Sequence, residues 1–282
     1  MLLDMINEFD FEKPYEIIAA RVNNVAQGLK FRAYHSRDIE FLDYRTYSGR
    51  NVYSRSLCFL LYTAALDIFP DCKVVMRRPI SKGFFCSIDK CDGNPLSARD
   101  IDLIKARMRE IVDEDIQFHR HEVQIAEAID VFRKLGHFDK VKLLETCGEV
   151  YISYYTLGGT ADYYYDVLVP SSGYLKIWDL TPYRNGALLR VPDRHHPEQL
   201  APFHEQPKTF GVFSETIKWN SIMGLDNVGD VNKACLDGKA TDLIQVAEAL
   251  QEKKIVQIAE EIDKRYRSPQ KVRIVLITGP TS

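Results

Sequence analysis

The stretch SRSLCFLLYTAALDIFPD, residues 54–71, places Leu57, Leu60, Leu61, Ala64, Ala65 and Ile68 at helical spacing until Pro70 stops the run. A helix is therefore expected from Ser54. On its N-terminal side the pieces are short. LLDMINEF reads as a helix, YEIIAARVNN as a strand ended by Asn23-Asn24, and DIEFLDY as a second strand. These pieces make a thin domain over residues 1–50. On the other side GFFCSID is a strand, and Ser97-Ala98-Arg99-Asp100 fits a capping box opening a helix. Ile101, Ile104, Met108 and Ile111 form one face of that helix.

Further along, EVYISYYTLGG, ADYYYDVLVPSSGYLKIWDL and ALLRVP form a strand-rich segment with Gly/Ser turns, followed by the proline-rich loop PDRHHPEQLAPFHEQP. ATDLIQVAEALQEKKIVQIAEEIDKRY is a long amphipathic helix, with Ile244, Ala247, Leu250, Ile255 and Ile258 as its expected inner stripe. Ser268-Pro269 breaks it, and VRIVLITGPTS runs from an apolar strand into a glycine turn. No internal repeat is visible.

The 282 residues allow about two domains, and 45% hydrophobic with 27% charged residues is an ordinary globular composition. A net charge of −3 provides no basic field toward nucleic acid or an anionic membrane. No apolar run reaches the roughly 20 residues of a membrane span, and the first residues lack a signal-peptide pattern. Six cysteines scattered over this length fit reduced thiols better than a disulfide framework, so a cytoplasmic location is expected.

A set of two histidines and one cysteine could bind zinc, but none of the spacings here is a strong zinc pattern. His119 and His121 sit in FHRHEV, where a strand would put both on one face. Cys86 and Cys91 are too widely spaced for a zinc knuckle, and His195, His196 and His204 stand in the proline-rich loop. Surface histidines and core thiols are the favoured reading. SYYTLGGTADYYY offers faces on which a base could stack, yet a half-buried sheet face with a tight turn is favoured.

The end of the chain carries the best local signal. A phosphate-binding loop of the form GxxxxGK[ST] follows a buried strand, its amides cradling phosphates while the lysine adds charge and the hydroxyl holds Mg²⁺. Gly279, Pro280, Thr281 and Ser282 supply the first glycine and three spacer residues of that form.

The order of segments extends the reading. AARVNN, DIEFLD and SGRNVYSRS resemble the later part of a TGS domain, the ubiquitin-like module of threonyl-tRNA synthetases. RSLCFLLYTAALDIFPD, GFFCSID, LSARDIDLIKARMREIVDEDIQFHRHEV and VPSSGYLK resemble the second additional domain, the editing domain of threonyl- and alanyl-tRNA synthetases. QVAEALQEKKIVQIAEEI and VRIVLITGPTS resemble the connector and loop start of a bacterial nucleoside kinase of the uridine kinase type. The resemblance covers nearly the whole chain. It implies an α+β protein: a truncated TGS-like module (1–50), an editing-like domain (51–205), a helical connector (206–268), and the first strand and partial loop of a kinase (269–282).

The resemblance also implies what is lost. The editing domains carry HxxxH on the first long helix and CxxxH further on. Matched to those motifs, Arg55 and Phe59 fall at the histidine positions, and Tyr164 and Leu168 at the cysteine and histidine positions. No neighbouring frame restores HxxxH, since no histidine lies between His35 and His119. The chain is therefore expected to be the front part of a longer kinase, trimmed at its start and cut inside the loop. It would have no catalytic residue, metal or cofactor of its own. ATP and Mg²⁺ would serve the parent kinase, whose C-terminal domain would be its partner. A nucleoside, amino acid or RNA end is a possible ligand of the editing-like cleft, and no membrane is involved. The alternatives are a surviving deacylase, which would have to draw on His119, His121 and Asp166, and a purely structural or dimerising module.

Overall fold

The computed structural model describes residues 1–8 and 14–277. A short helix α1 (Leu2–Glu8) precedes a small antiparallel sheet of β1 (Ala19–Val22), β2 (Val25–Gln27) and β3 (Ile39–Leu42), in the order β2-β1-β3. The β1–β2 turn is made by Asn23 and Asn24, both at positive φ (47° and 66°), a conformation asparagine tolerates better than other side chains do. Leu2, Ala20 and Val22 form this module's own core against Phe31 and Phe41.

Helix α2 (Tyr47–Ile68) follows. It begins seven residues before Ser54, because Thr46 caps it by accepting the Gly49 amide (3.0 Å). The apolar repeat alone marked only where burial becomes continuous, not where the helix starts. Gly49 is required there: a Cβ would lie 2.0 Å from the Asp43 carbonyl oxygen. The helix therefore crosses residue 50, the expected end of the first module.

Around α2 the chain builds a four-stranded antiparallel sheet, β4 (Lys73–Ile80), β5 (Gly83–Asp89), β9 (Asp179–Tyr183) and β10 (Gly186–Arg190), in the order β4-β5-β10-β9. Helix α3 (Ala98–Asp113) packs beside α2 through Ile101, Ile104, Met108 and Ile111, and opens with the expected capping box between Ser97 and Asp100. A second antiparallel sheet joins β6 (Phe118–Gln124), β7 (Tyr151–Leu157) and β8 (Thr160–Asp162). Between β6 and β7 lie α4 (Ile125–Lys134) and α5 (Phe138–Thr146), packed on that sheet by Ala128, Phe132 and Leu144. Leu57, Phe59, Leu60, Leu61 and Ala64 are fully buried, so α2 is the centre of the largest core. Much of 163–178, read as strand-rich, is instead irregular around one 3₁₀ turn at Ser172–Tyr174.

Three helices end the described chain: α6 (Pro207–Ile222), α7 (Val228–Leu236) and α8 (Ala240–Arg267). The stripe expected to face inward on α8 does not. None of its residues is buried, and Ile244, Ile255 and Ile258 are each more than half exposed. Among the described residues α8 is held by edge contacts to α6, Lys254 to Glu215 (2.6 Å) and Lys253 over the Trp219 ring (5.9 Å), and no element covers its apolar face. The residues Val272 to Ile277 form no strand and are exposed. Gly279, Pro280, Thr281 and Ser282 lie outside the described residues.

Two hydroxyls on α2 illustrate how its burial is accommodated. Ser56 Oγ donates to the Val52 carbonyl (2.8 Å) and accepts the Val169 amide (2.9 Å), tying the helix to the irregular segment. Thr63 Oγ1 is buried with no partner among the described residues. Ser56→Ala leaves a buried amide unsatisfied and is expected to cost about 1–3 kcal/mol in urea unfolding. Thr63→Val removes an unpaired polar atom without changing shape, and is expected to be neutral or stabilising by up to about 1 kcal/mol. A loss of stability in Thr63→Val would show that the hydroxyl is satisfied after all.

Candidate functional site

Helical periodicity puts Arg55, Phe59, Tyr62 and Thr63 on one side of α2, and the segment leaving β8 crosses that side. The fold thus gathers the residues matched to the two editing motifs, although about a hundred residues separate them. The Phe59 ring lies 5.5 Å from Tyr164 and 5.8 Å from Phe118. Arg55 pairs with Asp166 (2.7 Å), approaches the Val167 carbonyl (3.4 Å) and stands over the Tyr165 ring (5.7 Å). Leu168 is buried in the same core.

This donor set does not suit a metal or a general base. Phenylalanine and leucine have no lone pair to give, and a guanidinium stays protonated and here faces a carboxylate. Tyr164 is half-buried, and removal from water first, then the Asp162 charge, holds its pKa far above the usual phenol value. Two rings and an ion pair fill the place where an editing motif would present imidazoles and a thiol. No group of three or more His, Cys, Asp or Glu among the described residues is placed to hold a metal ion.

The other residues singled out lie elsewhere. His119 is exposed on β6 opposite Thr156, whereas His121 stacks on Tyr154 (4.9 Å between centroids) and meets the Thr156 hydroxyl (3.0 Å). Asp166, the third rescue candidate, is held by Arg55. Cys86 is buried in β5 with its thiol 3.2 Å from the Met76 sulfur, while Cys91 is exposed beyond the strand. The amides of His195 and His196 bond the Asp193 carboxylate within a local turn, and that of His204 bonds Ser81 Oγ, tying the loop to the β4–β5 turn. The tyrosine-rich stretch is a half-buried hairpin: Tyr154 and Tyr155 are buried, and Tyr151 and Tyr165 exposed.

Two features had no sequence signal. The first is a polar network behind Phe59. Lys140 of α5 pairs with Asp162 (3.1 Å), whose Oδ1 also accepts the Tyr163 amide (2.8 Å), and the Tyr62 hydroxyl meets the His137 ring (3.2 Å). Burial opposes the Lys140 charge, but Asp162 and Asp139 outweigh it and raise its pKa overall. Burial lowers the pKa of His137, with Asp162 and Asp139 pulling the other way. Tyr62 and His137 are 75 residues apart, and Lys140 and Asp162 stand on different elements, so no short spacing announces the network.

The second is a cleft of about 190 Å³ between the first module and the editing-like domain. Residues 27–31 form one wall, and Phe118, Arg120, Tyr155 and 167–170 the other. Lys30 reaches across to Gln117 Oε1 (2.9 Å), and Arg120 donates to Ser153 Oγ (2.8 Å).

The lowered His137 pKa has a sign that can be checked. Below the ordinary imidazole value of 6.5 the unfolded chain binds this proton more readily than the folded one. Its contribution therefore falls as pH drops from 6.5 to below the folded value. His137→Asn is expected to reduce the loss of stability between about pH 7 and pH 5 relative to the unsubstituted chain. Identical pH profiles in urea unfolding would show that the imidazole is free to ionise.

No family model matches the chain. Over 166 residues it is 30% identical to the threonine–tRNA ligase of Fusobacterium nucleatum, covering 58% of this chain and 26% of that protein. The corresponding enzyme of Carboxydothermus hydrogenoformans matches at the same identity, length and coverage, and that of Desulforamulus reducens at 30% over 162 residues, or 57% and 25%. The chain thus spans about a quarter of the length of these curated relatives. Over more than half its own length it is homologous to a region of threonyl-tRNA synthetases.

Proposed function

We propose that this chain is a non-hydrolytic recognition module, built on an editing-type fold, that serves an ATP-dependent nucleoside kinase. One observation carries the first part: the positions matched to HxxxH and CxxxH hold an Arg55–Asp166 ion pair and a Phe59–Tyr164 contact. Neither supplies an imidazole or thiolate to hold a metal, and the Asp166 carboxylate, the one group of the four that could accept a proton, is engaged by Arg55. An open cleft beside that filled site leaves binding as the activity supported by the geometry.

The kinase part rests on the order of resembling segments and on the apolar Val272–Ile277 run before Gly279. In that reading Gly279, Pro280, Thr281 and Ser282 open a phosphate-binding loop, ATP and Mg²⁺ are the kinase's cofactors, and uridine or cytidine its acceptor. The C-terminal kinase domain is the partner to which the module reports. A cytoplasmic site of action belongs to the same reading; no helix among the described residues is long and apolar enough to cross a membrane.

The decisive measurement is ATP-dependent uridine phosphorylation by the natural full-length protein, beside a version lacking residues 1–268. Activity in the full-length protein that changes on removal of 1–268 is expected. No activity in the full-length protein would sink the kinase reading. Residues 1–282 alone are expected to phosphorylate nothing and to deacylate mischarged tRNA only at the background rate. Deacylation above background that disappears on changing His119, His121 or Asp166 would restore the hydrolase reading.

A further inference from the structure

We propose that the cleft between residues 27–31 and the β6–β7 sheet is a binding site for a small organic anion with an apolar body. Its carboxylate or phosphate head would lie between Lys30 and Arg120, and its body against Phe118, Tyr155 and Leu168. This rests on the reading of the chain as a recognition module, and adds to it a place and a ligand chemistry.

Size comes first. A volume of about 190 Å³ is close to that of an engineered cavity of about 150 Å³ known to accept benzene, so one ring with a short substituent fits and a dinucleotide does not. The wall is apolar and firm: Phe118, Tyr155 and Leu168 are each buried, and Phe31 closes the side formed by the first module. Such a surface holds an apolar body without needing to order itself first.

Charge supplies the second constraint. Among the described residues, Lys30 and Arg120 are the only charged ones lining the cleft. The Lys30 ammonium is bonded to neutral oxygens alone, Gln117 Oε1 (2.9 Å) and the Phe118 carbonyl (3.5 Å), and has no carboxylate partner among the described residues. Burial depresses its pKa, as expected of a cation whose water is partly removed without a counter-charge. Arg120 has a distant partner, Glu122 at 3.7 Å, on the solvent side. An anion at the mouth would neutralise the first and accept a charge-assisted hydrogen bond from either.

Position gives the occupant a consequence. It would touch both the first module and the editing-like sheet, so binding would tighten their junction, which is otherwise crossed by polar links such as Lys30–Gln117 and Lys176–Glu16 (3.1 Å).

The test is titration of residues 1–282 by isothermal calorimetry with phenylacetate, phenyl phosphate, inorganic phosphate and benzyl alcohol. Saturable binding of phenylacetate or phenyl phosphate is expected, and which of the two binds identifies the head group. Benzyl alcohol and inorganic phosphate, each lacking one half of the pattern, are expected to bind at least about tenfold more weakly. Lys30→Met and Arg120→Met keep the apolar stems on a solvent-facing edge and are expected to weaken the anions by a similar factor. Gly28→Leu blocks the cleft itself; a first methyl there meets the Leu168 carbonyl at 3.8 Å and the Val167 Cβ at 4.0 Å, both ordinary contacts, so the backbone accepts it. No binding of either aromatic anion at about 10 mM, equal binding of benzyl alcohol, or no effect of Lys30→Met would each overturn the proposal. Because the readout is binding to this chain, failure here would leave the phosphorylation and deacylation outcomes as they stand.

Discussion

The burial of α2 on every side is the constraint from which the remaining arrangement follows. Twelve of its 22 residues are buried, including polar Ser56 and Thr63, so it cannot be a surface helix with one apolar stripe. It must be wrapped. The four-stranded sheet, α3 and the irregular segment 163–175 do the wrapping. Each contributes side chains that would be exposed without it, such as Ile104, Ala187 and Val169. A helix buried this way also has to find partners for its polar atoms, which is why Ser56 bonds a loop amide rather than water.

The same geometry explains why the candidate site is filled rather than open. The side of α2 carrying Arg55 and Phe59 faces the segment carrying Tyr164 and Asp166. Phe59 and Tyr164 meet across that interface with ring centroids 5.5 Å apart. An aromatic contact there contributes packing that an imidazole or thiol set would not. Arg55 is acceptable at the rim because Asp166 balances its charge and its side chain keeps some contact with solvent. Open space is displaced to the junction with the first module, where Lys30 and Arg120 stand over an apolar wall.

Local patterns were read well where they express local physics. The α3 capping box, the Asn23-Asn24 turn and the Gly83–Asp89 strand depend on residues within a few positions of one another. The start of α2 lies ahead of the apolar repeat because Thr46 and Gly49 act through a cap. The stripe of α8 is exposed for a different reason: periodicity says that a stripe is apolar, not that a neighbour exists to cover it. Helices α4 and α5 and strand β4 went unmarked, since their short apolar patterns lie among many charges.

By itself the sequence determined the α+β character, the central helix, and the residue types at the matched motif positions, because spacing and side-chain chemistry are properties of the chain alone. Only the tertiary structure decided that Arg55, Phe59, Tyr164 and Leu168 share one region, that Asp162 meets Lys140, and that Lys30 and Arg120 border one cleft. Those facts depend on which distant elements pack together, and packing is set by the shapes and burial of whole elements rather than by any short stretch.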